Sequence, residues 1–504
     1  MALRRVKIES GVLRGQVAGN SYVSVFRGIP FAAPPVGDLR WKAPQPVEPW
    51  EGERDASRFS PIEPQPPKPD GGYYQKEYFP MLEETSEDCL YLNVWTSAVT
   101  GQEKMPVFVW IHGGGFREGY SYTMGYDGEA YAANGVVVVT INYRLGIFGF
   151  LADPALAAES STGSTGNYGL LDQIAALQWV QRNIAAFGGD PDNVTIAGQS
   201  AGGISVQILA SSPVTRGLFH KAIIQSGGGL FALYDTPFLT AEEAMARNDL
   251  EHTLHVSSIE EARALTTEEL YRLQMEGPFW RDGPFPLIDG YILTEDINAA
   301  AYRGHCHEIP YLIGSTQDEG LQLVLSDRKG FAAHMREVLG SKAEEYLKLC
   351  PLDSEKEFTA FRSQLMQEHL RIGTAAWCRL QNAQGRAPSY LYYFTHNLPG
   401  GDDLGAVHSS EHWYVFRTIL RSWRPMNETD LRLTLTMSNY WINFAKTGNP
   451  NGEGLPEWKP YTAETPCRMN LGAAQVCEPV ALNDREQWCV ELMASEDGWK
   501  NTDL

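Results

Sequence analysis

The apolar positions follow two patterns that divide the chain. Near the start, short alternating segments at Val6 to Glu9, Val12 to Val17 and Tyr22 to Arg27 are separated by glycine and polar residues. They predict a small antiparallel meander. Farther on, residues are apolar in succession at Leu90 to Thr96, Val107 to Ile111 and Val136 to Asn142. Such runs suit strands buried on both faces, as in a sheet covered by helices. Between Leu170 and Ile184 apolar residues recur at Leu170, Leu171, Ile174, Leu177, Val180 and Ile184, and Gly188 with Gly189 follows. That spacing predicts a helix with a glycine stop.

Asn193 to Gly198 and Lys221 to Ser226 read as buried strands flanking a helix from Ala201 to about Ser211. Strand, helix and strand in close succession imply a right-handed parallel crossover. Ile309 to Ser315 and Ser389 to Thr395 add strands, with helical material from Ala241 to Leu273 and from Glu355 to Ala383. The expected fold class is therefore α/β, with a large, mostly parallel central sheet covered on both faces. The meander precedes it, and helical, cap-like insertions fall around 235–300 and 325–385. With no internal repeat, and with the proline-rich stretch Ser60 to Gly72 short enough to be a loop, residues 1–504 are expected to form a single domain.

Composition narrows the partners. The 504 residues carry 41 basic against 62 acidic side chains, a net charge of −21, with no basic block. Phosphate binding needs the opposite field, so neither nucleic acid nor an anionic membrane is an expected partner. Arg4, Arg5 and Lys7 precede no apolar run, unlike a secretory leader. The apolar region Gly135 to Leu151 is broken by Asn142 and Arg144 and is too short to span a bilayer. Seven cysteines without CxxC pairs suggest neither a disulfide framework nor a zinc cluster. A reducing, cytoplasmic setting is expected. His305, Cys306 and His307 lack a second ligand cluster, and no metal or organic cofactor is expected.

Two glycine-rich segments carry candidate chemistry. Gly198, Gln199, Ser200, Ala201 and Gly202 form GxSxG between a predicted strand and a predicted helix. A strand entering a helix through one residue places that serine on a tight turn, and glycines two positions away avoid a clash. The site lies at the carboxyl end of a strand, where open α/β sheets bind ligands. His112, Gly113, Gly114, Gly115 and Phe116 follow the buried strand Val107 to Ile111. Backbone N–H groups free of side-chain hindrance suit an oxyanion. Gly114, Gly115 and Ala201 are the expected donors.

A serine nucleophile needs a histidine base, itself oriented by a carboxylate. Asp318 and Glu319 both precede Gly320, and spacing does not choose between them. Downstream histidines are His334, His369, His396, His408 and His412. His334 and His369 fall in predicted helices and read as surface residues. His408 lies in a Gly/Asp-rich loop, with His396 and His412 as its competitors. Trp280, Phe285 and Phe416 are candidates to line a substrate pocket.

Taken together, these blocks resemble type B carboxylesterases of the α/β-hydrolase superfamily, the group that includes bacterial p-nitrobenzyl esterase, mammalian carboxylesterases and the cholinesterases. The likeness also covers Phe26 to Trp41, Ser86 to Trp95, Asn142 to Phe150, Gly166 to Pro191, Thr316 to Gly320 and Trp441 to Asn451. It implies a serine esterase forming an acyl-enzyme, with Ser200, Glu319 and His408 as catalytic triad and the glycine loop as oxyanion hole. It also implies a salt bridge between Arg40 and Glu87, and supporting roles for Ser226 and Glu411 behind the triad. Two features depart from the family. No cysteine precedes Cys89, so the family disulfide at that position cannot form. Tyr78 and Phe79 stand where cholinesterases carry a cation-binding tryptophan, so choline ester preference is not implied. Other expectations on this scaffold are a feruloyl or acetyl esterase, a lipase, or a non-catalytic adhesion homologue.

Overall fold

The strands of the computed structural model are, in chain order, β1 (Arg5–Ile8), β2 (Gly11–Arg14), β3 (Gln16–Val17), β4 (Ser24–Pro30), β5 (Glu53–Asp55), β6 (Tyr91–Thr96), β7 (Met105–Ile111), β8 (Val137–Ile141), β9 (Gly189–Gln199), β10 (Lys221–Gln225), β11 (Tyr311–Thr316), β12 (Ser389–Phe394), β13 (Cys467–Leu471) and β14 (Gln475–Pro479). The structure describes residues 2–81, 83–230, 238–277, 279, 285–320 and 327–495. Eleven strands form one sheet in the order β14-β13-β12-β11-β10-β9-β7-β8-β6-β4-β3. Every pairing from β8 across to β13 is parallel, while β6, β4 and β3 at one edge and β14 at the other run antiparallel.

The continuous apolar runs are explained by cover on both faces. Along β7, Val107, Val109 and Ile111 enter one core, and Phe108 with Trp110 enters the other. Side chains alternate across a strand, so both faces must be apolar when both are covered. Helices α1 (Tyr168–Asn183), α2 (Ala201–Ser211) and α3 (Glu355–Ala383) pack residues such as Leu177, Val206 and Trp377 into the first core. Helix α4 (Glu428–Thr447) covers the opposite face with Met437, Tyr440, Trp441 and Phe444. Asn427 and Asp430 cap its start reciprocally, and Gly448 ends it in the left-handed conformation.

The expected N-terminal antiparallel pairings form, β1 with β2 and β3 with β4, but they are divided between two sheets. β1 and β2 pair antiparallel, but their third partner is β5, parallel to β2. The segment predicted as the third meander strand becomes β4 and pairs with β6 in the large sheet. Val25, Phe26 and Ile29 are fully buried there, which a small two-layer meander could not provide. The β13–β14 hairpin was not anticipated, since only Cys467, Met469 and Leu471 of β13 turn inward and the intervening residues are polar.

The two insertions lie between successive strands. Five short helices (Ala241–Asn248, Leu250–Leu254, Ile259–Ala264, Thr267–Glu276 and Ile297–Tyr302) are described between β10 and β11. Arg328–Leu339, Ala343–Lys348 and α3 lie between β11 and β12. Arg40 and Glu87 form the expected ion pair, with Nη2 to Oε1 at 2.6 Å and Nε to Oε2 at 2.8 Å. The pair also fastens the first insertion, because Arg40 Nη1 donates to the Leu265 carbonyl at 2.9 Å and Thr267 Oγ1 donates to Glu87 at 2.6 Å. Among the described residues, no helix is long and apolar enough to cross a membrane.

From β7 the chain moves to β8 on one side and returns to β9 on the other. The loops leaving β7 and β9 therefore open onto one crevice, the topological switch point of the sheet. Ile111 sits opposite Gly198, so the two glycine-rich segments emerge side by side.

Candidate active site

Ser200 occupies the single residue between β9 and α2, with φ 57° and ψ −128°. A non-glycine residue persists in this region only when its surroundings over-determine it. Here they do: the Ser200 N–H donates to the Gln225 carbonyl of β10 at 2.9 Å, and the backbone is crowded on both sides. A Cβ on Gly202 would lie 2.1 Å from the Ile111 oxygen, and one on Gly198 would lie 2.3 Å from the Gly202 oxygen.

The glycine loop after β7 is held from several directions. Tyr143 donates its hydroxyl to the His112 carbonyl at 2.9 Å, and its ring stacks on His112 at 4.5 Å. His112 Nδ1 donates to the Gly113 carbonyl at 2.9 Å, and burial lowers this histidine's pKa to about 4, leaving it neutral. Gln65, from the proline-rich loop, accepts from the Gly119 N–H at 2.6 Å and donates to its carbonyl at 3.0 Å. Among the described residues, no hydrogen bond takes up the N–H of Gly114, Gly115 or Ala201.

The two ambiguities of spacing have distinct physical resolutions. His408 Nδ1 donates to Glu319 Oε2, and Glu319 Oε1 accepts from the Thr316 N–H at 2.7 Å. Asp318 turns to the neighbouring backbone instead: its N–H donates to the Ala406 carbonyl at 3.0 Å, and its Oδ2 accepts from the Ala406 N–H at 2.8 Å. One residue clamps the loop that carries His408, and the next meets the ring. His396 is engaged by Asp430 at 2.8 Å. His412 is enclosed by Tyr78, Trp110 and Tyr126, with ring centroids 5.2–5.6 Å away, and burial lowers its pKa to about 3. His334 is exposed as expected, whereas His369 is buried on α3 and is not the surface residue expected of it.

Burial would raise the Glu319 carboxyl, but the imidazole beside it and the hydrogen bonds from His408 and Thr316 hold it below the ordinary value. Burial alone would lower His408; the Glu319 charge and hydrogen bond, with Glu411 behind, raise it. Glu411 is pushed up to about 7 by burial and by Glu319. Its Oε1 accepts from Gln225 Nε2 at 3.3 Å.

Ser200, His408 and Gly113 to Gly115 line one cavity of about 290 Å³, walled by Tyr74, Tyr78, Phe79 and Tyr126. His408 Nε2 is not bonded to Ser200 in this resting arrangement; it accepts from Gln199 Nε2 at 3.0 Å. Catalytic hydrogen bonds often tighten only once substrate is bound. A second cavity of about 610 Å³ lies alongside, beneath the proline-rich loop, and shares Lys68 and Phe79 with the first.

The three pocket candidates fare differently. Phe416 is a core residue, 1% exposed and 4.9 Å from the Trp110 ring, because α4 and the strand face enclose it. Phe285 is 47% exposed, leans on Phe116 at 6.0 Å and borders neither cavity. Trp280 lies outside the described residues. Residues not anticipated for the site include Gln199, which sat in view inside GxSxG, and Tyr78, whose hydroxyl donates to the Ser409 carbonyl at 2.7 Å. No spacing along the chain marks Tyr78 as a support of the His408 loop. His305 and His307 turn to different partners, Glu295 and the Ser212 carbonyl.

Comparison with known proteins places the whole chain. The sequence model of the carboxylesterase family matches residues 2–488. The chain is 38% identical over 468 residues to a fumonisin B1 esterase of Sphingopyxis macrogoltabida, covering 89% of this chain and 83% of that one. It is 36% identical to the para-nitrobenzyl esterase of Bacillus subtilis (strain 168), covering 90% and 92%. Among solved structures, a thermophilic p-nitrobenzyl esterase superposes with a TM-score of 0.83 at 32% identity, covering 96% and 99%. A carboxylesterase of Geobacillus stearothermophilus superposes with 0.78 at 34%, covering 97% and 100%. The elbow serine, the glycine loop beside it and the extent of these matches lead to one conclusion: the chain belongs to the carboxylesterase family, the type B serine hydrolases of carboxylic esters built on the α/β-hydrolase fold.

Proposed function

We propose that Ser200, His408 and Glu319 are the catalytic triad of this esterase, and that Gly114, Gly115 and Ala201 form its oxyanion hole. Ser200 attacks the ester carbonyl as His408 Nε2 takes the hydroxyl proton, and the oxyanion settles on the three amides. His408 then protonates the departing alkoxide. Water attacks the acyl-enzyme with His408 again as base, which frees the acid and restores the serine. Glu319 fixes the Nδ1–H tautomer and favours the transient imidazolium. The observation that carries this reading is the Glu319–His408 hydrogen bond, brought into the cavity where Ser200 stands on its strained turn.

A non-catalytic role on this scaffold would leave no reason to retain a strained serine beside unoccupied amides. The substrate is a small-molecule ester, and the aromatic walls favour an apolar portion next to the scissile bond. The whole chain serves one site as a single domain. Seven free thiols, with no disulfide among the described residues, support a reducing, cytoplasmic setting.

Labelling with a p-nitrophenyl phosphonate followed by peptide mapping tests the nucleophile; modification at any residue other than Ser200 overturns it. A chain-length series of p-nitrophenyl esters, set against feruloyl, acetyl and fumonisin B1 esters, separates a carboxylesterase from a lipase or a feruloyl or acetyl esterase.

A further inference from the structure

The scheme above leaves one contact to its base unused, the hydrogen bond from Gln199. We propose that Gln199 is a positioning residue that holds the His408 ring by its Nε2 lone pair and favours the neutral imidazole, ceding that lone pair to the Ser200 hydroxyl when substrate fills the pocket. The proposal rests on the triad reading.

The chemistry of the contact is directional. With Nδ1–H committed to Glu319, the other ring nitrogen of neutral His408 is an acceptor only. The Gln199 amide meets it with an N–H at 3.0 Å, and Gln199 is 1% exposed. Protonation of Nε2 would set N–H against N–H. The amide oxygen faces the glycine loop, where a Cβ on Gly113 would lie 3.2 Å from Gln199 Oε1 and 2.5 Å from the Gln199 carbonyl. A glycine at that point makes room for the amide and leaves its nitrogen side to His408.

The other groups around the ring pull the opposite way or not at all. Glu319, on the loop after β11, and Glu411, on the histidine's own loop, both favour the imidazolium. His412, four residues on, is neutral by burial. The phenols of Tyr74 and Tyr78 stand over the same loop, and Tyr392 of β12 lies behind the carboxylates; burial keeps all three protonated. Gln199 is thus the direct contact that opposes the pull of Glu319.

The test uses the full chain with Gln199→Glu, which keeps the volume but replaces the donor by a carboxylate, and with Gln199→Leu, which removes polarity. The readout is the pH dependence of phosphonate labelling at Ser200, with kcat and KM for p-nitrophenyl acetate. The acid limb is expected to rise by about half a pH unit in Gln199→Leu and by about one unit in Gln199→Glu, because a lost donor and an added charge both favour the protonated ring. kcat at pH 6 should fall several-fold while KM stays within about twofold. Limbs coinciding with the wild type within about 0.2 unit, or moving down, overturn the proposal. A purely structural role would lower melting temperature and activity at every pH without moving the limb. Should one variant fail to fold by circular dichroism, the other carries the test. Wild type unlabelled at Ser200 sinks the triad reading and this proposal with it, whereas labelled variants with unmoved limbs sink only the role of Gln199.

Discussion

At Ser200 the backbone is strained so that a hydroxyl can stand clear of its neighbours, and the surrounding strands and glycines hold it there. Ser200→Ala removes the proposed nucleophile and none of those restraints. It should fold with an unchanged circular dichroism spectrum while kcat drops by about four orders of magnitude or more. The proposed base sets the pH profile. His408 must be neutral to accept the proton, and Glu319 raises its pKa above the ordinary 6.5 despite burial. Activity is therefore expected in full above the raised value and lost as pH falls through it, with the acid limb of kcat/KM above the unperturbed imidazole range. A limb below that range would contradict the Glu319 contact. Sequence located these residues but could not rank Asp318 against Glu319. Neighbours along an extended segment point to opposite sides, and which side holds the imidazole depends on a strand end from elsewhere in the chain.

At the scale of elements, the elbow depends on a backbone approach that admits no side chain. Gly202→Ala would drive a methyl to 2.1 Å from the Ile111 oxygen, so β7 and the start of α2 must part. A loss of about 1–3 kcal/mol is expected in urea unfolding, together with loss of esterase activity even where the protein remains folded. Breaking the ion pair at the first insertion should cost more. Arg40→Met leaves Glu87 buried without its partner, for a destabilisation of about 3–5 kcal/mol by the same measurement. The buried strands were legible because β6, β7 and β8 are apolar on successive residues, and α2 because its apolar run follows the GxSxG turn. β13 and β14 were not, since β13 turns only three alternate residues inward and β14 buries none, so the pair resembles a surface loop. The assignment of β4 to the large sheet was illegible for another reason: a short alternating run specifies an inward face but not which sheet it joins.

Across the whole molecule, stability arises without covalent cross-links among the described residues. All seven cysteines are free; six are buried and Cys477 is partly accessible. A thiol reagent should therefore titrate about one group in the native protein and all seven after unfolding, and reductant should leave the unfolding midpoint unchanged. More than one fast-reacting thiol would mean that the core opens more readily than its packing implies. The clamp between Asp318 and Ala406 also has an architectural consequence. It joins positions 88 residues apart and brackets both the helices between β11 and β12 and β12 itself, so the proposed acid and base are delivered from ends already fastened together. Substitutions on the outward faces of those helices should therefore leave Glu319 and His408 in register, whereas removing α3 or β12 would open the core that they cover.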